Sequence, residues 1–132
     1  MTYRALYQAA LRMVCESELD RDTDDYEDRA GYLLATFCAE HTPTDNRYRR
    51  EKGHSELPAF TKACVELDEK FPLSNVFAPI AQYYLAAMLV IDENEELSDR
   101  CFARYTETLA ALQKEFASTA APIRDHYRGL LI

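Results

Sequence analysis

The sequence predicts an all-α protein: four main helices in a small bundle, a long irregular connector between the second and third helices, and a C-terminal tail. Glycine is scarce, with 3 among 132 residues, while the helix-favouring residues Ala, Leu and Glu are abundant. Apolar residues recur at steps of three and four along several stretches. The length suits a single hydrophobic core. We therefore expect one helical domain over residues 1–117 and a tail over residues 118–132 that is docked on it or faces a partner.

The first two helices have recognisable ends. Thr2 is a suitable N-cap, so the first helix is expected over residues 3–18. The second is expected to begin at residue 24 or 25, where carboxylates favour the positive end of the helix dipole, and to stop at residue 40. The sequence His41-Thr42-Pro43 should end it, because the residue before a proline disfavours the helical conformation. His41 would then be a cation at the helix C-terminus.

An acidic run joins these two helices. Residues 16–28 (ESELDRDTDDYED) hold eight carboxylates and one arginine. The three alternating aspartates that begin at Asp20 resemble a calcium loop. However, the sixth loop position is Asp25 rather than the glycine of a tight turn, and the twelfth is Gly31 rather than a bidentate glutamate. We therefore interpret the run as a solvated linker.

The helical pattern weakens between residues 44 and 70, where Gly53 and Pro58 are expected to break regular structure. Residues 46–52 (NRYRREK) hold four basic side chains in an otherwise acidic chain, and they could form a short helix capped by Asp45. This basic turn could contact a phosphate or an acidic partner, or it could be a solvated face paired with the chain's own acids. The candidate partner contacts in it are Arg47, Tyr48, Arg49 and Arg50.

The most hydrophobic part of the chain, residues 71–116, predicts the third and fourth helices, joined by a short acidic turn at residues 92–96. The third helix begins after Pro72 and has almost no polar face, so it must be buried centrally or also covered by another subunit. The fourth helix is expected over residues 95–116. The apolar end of the tail supplies further candidate partner contacts: Leu130, Leu131 and Ile132.

Composition argues against several functions. The net charge of −8 argues against tight binding to nucleic acid or to anionic lipid. The longest strongly apolar run, residues 83–91, is far shorter than the roughly 20 residues that span a bilayer, so no membrane contact is expected. We see no signal peptide, and the four cysteines include no C-x-x-C pair. These features predict a cytosolic protein with reduced thiols.

Two pairs of carboxylates form the best enzyme-like pattern. Glu66 and Glu69, and later Glu96 and Asp99, are spaced so that each pair would share one face of a helix. Four such carboxylates can bind magnesium and so hold a nucleoside triphosphate, as in the all-helical nucleotide pyrophosphohydrolases. Chance matches are expected in a chain with 23 acidic residues. We therefore assign no catalytic, metal-binding or cofactor-binding residue, and this magnesium-dependent hydrolase is the alternative function.

Six short segments stand in a recognisable order: DDYEDRAGYLL (24–34), NRYR (46–49), LP (57–58), LDEKFPL (67–73), LVIDEN (89–94) and RYTETL (104–109). Their order in a small acidic helical chain resembles the head-to-tail adaptor, or connector, proteins of tailed phages and prophages. Such adaptors are helical subunits that assemble as a ring beneath the portal and have no catalytic residues. The resemblance therefore implies a non-enzymatic assembly protein of the bacterial cytoplasm or the virion, whose partners are portal proteins, tail proteins and copies of itself. A helical module that binds a peptide or protein beside the third helix is a further hypothesis.

Overall fold

A computed structural model describes the backbone of residues 1–14 and 24–131 and the side chains of residues 1–14 and 25–116. Within these ranges the chain forms four α-helices: α1 (Tyr3–Val14), α2 (Asp24–Glu51), α3 (Ala78–Leu89) and α4 (Glu95–Leu131). A 3-10 turn, Asn75–Phe77, leads into α3. Among the described residues, β-type pairing is limited to an isolated bridge between Thr2 and Lys70. The predicted all-α bundle is confirmed.

The beginning of α1 is held by its cap and by the connector. The Thr2 hydroxyl accepts a hydrogen bond from the amide of Ala5 at 3.2 Å, which confirms the predicted N-cap. The amides of Tyr3 and Arg4 donate to connector carbonyls, those of Glu69 at 3.0 Å and Leu67 at 2.7 Å. The connector therefore satisfies donors that the first turn of a helix leaves unpaired. The predicted end of this helix, most of the acidic run and the calcium-loop pattern lie outside the described residues.

α3 is the central helix of the bundle. It packs against α1, α2 and α4, and α4 lies mainly on α3. Eight of its 12 residues are buried: Ala78, Ile80, Ala81, Tyr84, Leu85, Ala86, Ala87 and Leu89. Burial of each large aliphatic side chain contributes roughly 2 kcal/mol. The apolar surface of α3 is thus buried largely by the other helices of the same chain.

α2 continues through Pro43, so the prediction that it stops at residue 40 is wrong. Pro43 has no N–H to donate to the carbonyl of Ala39, but both residues are exposed and water can satisfy that carbonyl. The hydroxyl of Thr42 donates to the carbonyl of Cys38 at 2.6 Å. Asp45, one turn beyond, is fully buried and ties the continuation of the helix to the connector. Tertiary contacts therefore override the local preference of the residue before proline.

Gly53 ends α2. Its φ of 75° lies in the left-handed region that glycine adopts without strain. The amide of His54 donates to the carbonyl of Arg49 at 2.8 Å, and that of Gly53 donates to the carbonyl of Arg50 at 3.2 Å. This is the bonding pattern of a Schellman cap. The predicted break at Gly53 is confirmed, while the short helix expected over residues 46–52 is instead the end of α2.

The connector between α2 and α3 crosses α2 at Gly31. The amide of Val65 donates to the carbonyl of Gly31 at 3.1 Å. A Cβ atom at this position would lie 2.7 Å from the Val65 carbonyl oxygen and 2.9 Å from the Sγ atom of Cys64. Glycine is needed here because two backbones approach closely. The crossing fixes the middle of the connector against the bundle.

α4 extends well past its predicted end at residue 116. It spans 37 residues, from Glu95 to Leu131, which is about 55 Å at 1.5 Å per residue. Residues 117–121 (ASTAA) contain three alanines and neither glycine nor proline, so nothing in them stops a helix. The carboxamide oxygen of Asn94 accepts from the amide of Leu97 at 3.0 Å and caps the helix, so the acidic turn is the predicted helix connection. Leu130 and Leu131 lie at the end of α4, and Ile132 lies outside the described residues.

Candidate functional site

Most of the predicted contact residues near the end of α2 are engaged within the chain. Arg47 pairs with Glu51 at 3.8 Å, and Arg50 pairs with Glu56 at 3.3 Å. Tyr48 is half-buried and packs against an aromatic ring of α4. Both arginines therefore pair with the chain's own acids, but these acids are near them in sequence and do not belong to the acidic run.

Arg49 is a structural residue at the centre of this region. Its Nε donates to the carboxylate of Asp45 at 2.9 Å. Its two terminal nitrogens donate to the carbonyl of Ser55 at 3.2 Å and to that of Pro72 at 3.0 Å. The same oxygen of Asp45 accepts from the amide of Ser74 at 3.1 Å. The pair thus fastens both ends of the connector to α2.

A depression of about 520 Å³ opens beside Arg49, and we call it the basic depression. It is lined by Met1, by Tyr48, Arg49 and His54, and by residues 70–76. Three of these side chains are basic: Arg49, His54 and Lys70. The lining includes no Asp or Glu from the described residues. The side chains of Lys70 and His54 are exposed, and neither has an ion-pair or hydrogen-bond partner in the part of the chain that the structure describes.

A second depression, of about 410 Å³, adjoins the first, and we call it the apolar depression. Residues 57–62 of the connector line one side of it, with Leu57 and Phe60 half-buried. Lys70 and Pro72 line both depressions, so the two share one edge. Lys62 and Glu69 also line this second depression, so the surface of the connector is apolar along residues 57–60 and charged where the two depressions meet.

His41 is buried in the core and is not a cation at a helix end, so that prediction is wrong. Its Nε2 atom lies 2.9 Å from the hydroxyl of Tyr105 on α4. Its ring lies 4.4 Å from that of Phe37, measured between centroids. Burial lowers the pKa of His41 and raises that of Tyr105, while burial raises the pKa of the neighbouring Tyr84 to about 12. His41 is therefore neutral near pH 7 and joins α2 to α4.

Two polar side chains satisfy the carbonyls at the end of α3. Arg29 of α2 donates to the carbonyl of Met88 at 2.8 Å and to that of Leu89 at 3.3 Å. The buried hydroxyl of Ser98 on α4 donates to the carbonyl of Ala87 at 2.8 Å. The last carbonyls of a helix need such partners when they are buried. These polar residues connect helices of the bundle.

The four carboxylates of the enzyme-like pattern do not gather into a metal site. Glu66 and Glu69 lie on the connector rather than on a helix, and Glu69 pairs with Lys62 at 3.4 Å. Glu96 and Asp99 lie in the first turns of α4. Within the described residues, no group of three or more His, Cys, Asp or Glu side chains could hold a metal ion.

No family model matches the chain, and neither a curated protein nor a solved structure shows detectable similarity to it. Of the helices that the structure describes, none is both long enough and apolar enough to cross a bilayer. Function must therefore be inferred from the geometry of the chain itself.

The sequence alone does not indicate Lys70 or His54 as a contact residue. The two residues are distant in the sequence, and no periodicity relates them. They line the same depression because the connector returns to the beginning of α1, where the amide of Phe71 donates to the carbonyl of Met1 at 2.9 Å. The only local indication of this site in the sequence is that both side chains are basic.

Proposed function

We propose that this chain is a non-enzymatic structural subunit that acts by binding other proteins, in the setting of a head-to-tail adaptor of a tailed phage or prophage. The length of α4 carries the proposal. Phe116 is only 3% exposed, and the backbone helix continues past it to Leu131. That continuation amounts to about 20 Å of helix at 1.5 Å per residue. A helical extension of this length suits contact with a second protein when it carries an apolar face.

The sequence of this extension supports the same proposal. Apolar residues stand at positions 123, 127 and 130, which is the spacing of one face of a helix. The apolar pair Leu130 and Leu131 follows at its end. An apolar helical face is stabilised when another surface covers it, and a protein partner would provide such a surface.

The polar ties within the bundle also favour a subunit of fixed shape. Asp45 and Arg49 hold the connector, and His41 and Tyr105 join α2 to α4. Arg29 joins α2 to the end of α3. A preorganised surface binds a partner with a smaller loss of conformational entropy than a flexible one.

The adaptor setting rests on the order of the six sequence segments. Three of them contain residues that make these contacts: Arg29 in the first, Arg49 in the second and Tyr105 in the last. In this setting the partners are the portal protein, tail proteins and further copies of the chain.

Co-purification with the portal tests the proposal. The full chain, carrying an affinity tag, is co-expressed with the portal protein of the same genome and recovered on the tag. We expect the portal to be recovered in stoichiometric amount, and a variant that ends at Ala117 to recover much less of it. Genes for a portal and a major capsid protein should lie beside the gene for this chain. A metabolic operon at that place, together with no recovery of the portal, would contradict the proposal.

A further inference from the structure

The geometry points to the basic depression as a docking site for an acidic segment of a protein partner. The adjoining apolar depression takes an apolar side chain from the same segment. This inference rests on the proposed function, because it names the chemistry of the surface that such a subunit binds.

The first argument is charge. The chain has 23 Asp and Glu residues and 15 Lys and Arg residues. The described lining of the basic depression nevertheless holds Lys70, Arg49 and His54 and no Asp or Glu. Basic side chains around it pair with acids of the chain, including Arg50 with Glu56 and Lys62 with Glu69. Lys70 and His54 have no such partner among the described residues. Asp45 compensates the charge of Arg49, so the positive charge that the described part of the chain leaves uncompensated in the depression is that of Lys70.

The second argument is the state of Arg49. A guanidinium has five N–H groups, and three of those of Arg49 donate to Asp45, Ser55 and Pro72. One N–H on each terminal nitrogen has no partner within the described residues. Such N–H groups can donate a charge-assisted hydrogen bond to a carboxylate oxygen. Because the side chain is already held in place, binding there requires little further ordering.

The third argument is the pairing of the two depressions. Their volumes are about 520 and 410 Å³, and they share Lys70 and Pro72 at their common edge. A segment with a carboxylate beside a large apolar side chain matches this arrangement. A nucleic acid fits less well, because its continuous phosphate backbone would meet the acidic remainder of a chain with a net charge of −8.

Selection from a library of short random peptides tests the site. Peptides displayed on yeast are selected on the native full chain alone. We expect the selected peptides to be rich in Asp or Glu next to Leu or Phe. Synthetic copies should bind the native chain, and Lys70→Glu and His54→Glu should each weaken binding by roughly tenfold or more. Lys114→Glu, which makes the same charge change on the exposed surface of α4, should leave binding unchanged.

Several results would overturn the inference. These are a selection that yields no peptide, selected peptides without acidic enrichment, or equal affinity for the native chain and both depression variants. Binding of a single-stranded oligonucleotide that depends on Lys70 would assign the site to nucleic acid instead. Self-association of the chain that depends on Lys70 would assign it to a second copy. Circular dichroism verifies that each variant is folded. If Lys70→Glu does not fold, His54→Glu is the variant used to measure the loss of peptide binding.

The two proposals fail in different ways. If acidic peptides bind as expected but the portal is not recovered, the docking site stands and the adaptor role falls. If the portal is recovered equally by the native chain and by Lys70→Glu, and no acidic peptide is selected, the adaptor role stands and the docking site falls.

Discussion

The carboxylate of Asp45 and the guanidinium of Arg49 lie one turn apart on α2 and form an ion pair of 2.9 Å. The side chain of Asp45 is fully buried, and that of Arg49 is 19% exposed. The pair also binds the backbone of the connector at Ser55, Pro72 and Ser74. It therefore determines where the connector lies, and with it the shape of both depressions.

Removal of either partner should destabilise the protein strongly. Asp45→Ala and Arg49→Ala should each lower the free energy of unfolding by about 3 kcal/mol, because each leaves a buried or half-buried charge without its partner. Denaturant unfolding measures this. Arg47→Ala is the matched control, since its pair with Glu51 is more exposed, and it should change stability by less than about 1 kcal/mol. Equal effects of Arg47→Ala and Arg49→Ala would contradict the role given to the buried pair.

Gly31→Ala should destabilise the protein, although alanine is the better helix former. In an exposed helix this change stabilises by about 1 kcal/mol. Here the new Cβ would lie 2.7 Å from the carbonyl oxygen of Val65, so the connector must shift and weaken its hydrogen bond to α2. We expect a net loss of about 1–3 kcal/mol in the free energy of unfolding. Thr36→Ala, at an exposed position of the same helix, is the control and should be nearly neutral. A stabilised Gly31→Ala variant would show that the connector does not cross α2 closely.

The helix order and the apolar core could be predicted from the sequence because helical periodicity is a local signal. The central position of α3 follows from its apolar pattern. The N-cap at Thr2 and the break at Gly53 follow from the residue types at those positions. The continuation of α2 through Pro43 could not, because it depends on tertiary contacts such as those of Asp45. α4 continues past residue 116 and through Pro122 and Gly129, although both residues disfavour a helix, so the sequence pattern did not indicate its length.

The stability of the protein should fall as the pH is lowered below about 6.5, and His41 should contribute to this fall. Burial among Phe37, Phe77 and Tyr105 lowers its pKa in the folded state, although the nearby Glu40 acts in the opposite direction. The unfolded chain therefore binds the proton more readily, and protonation favours unfolding at acidic pH. His41→Phe should reduce the loss of unfolding free energy between pH 7 and 5. His54→Gln, which replaces an exposed histidine, should not.

The contributions of the other titrating groups to the pH dependence cancel in this comparison, because both variants retain those groups. Thermal unfolding across the pH range measures the effect. If His41→Phe follows the same pH profile as the native chain, then His41 is not the buried neutral group described here.

Truncation after Ala117 should leave the bundle folded. The buried Phe116 is retained, together with the part of α4 that precedes it. We expect the free energy of unfolding to change by less than about 1 kcal/mol, while portal binding is lost, because residues 118–132 act on a partner. A loss of several kcal/mol would instead mean that these residues are docked on their own domain, the other possibility that the sequence left open.

The candidate site was only partly predictable. The basic stretch at the end of α2 lies beside the proposed docking site, but Arg47 and Arg50 pair with neighbouring acids and Arg49 supports the connector. The basic side chains of His54 and Lys70, which have no partner among the described residues, come from a part of the chain without periodicity. Their proximity depends on the return of the connector to α1, which a local pattern cannot indicate.

The mass of the assembly in solution tests the central claim most directly. Size-exclusion chromatography with light scattering is applied to the chain alone, to the portal alone and to their mixture. We predict that the mixture contains a species whose mass equals the portal assembly plus bound copies of this chain, and that the variant ending at Ala117 forms much less of it. If the two proteins elute separately, each with the mass measured alone, the proposed role as an adaptor subunit is contradicted.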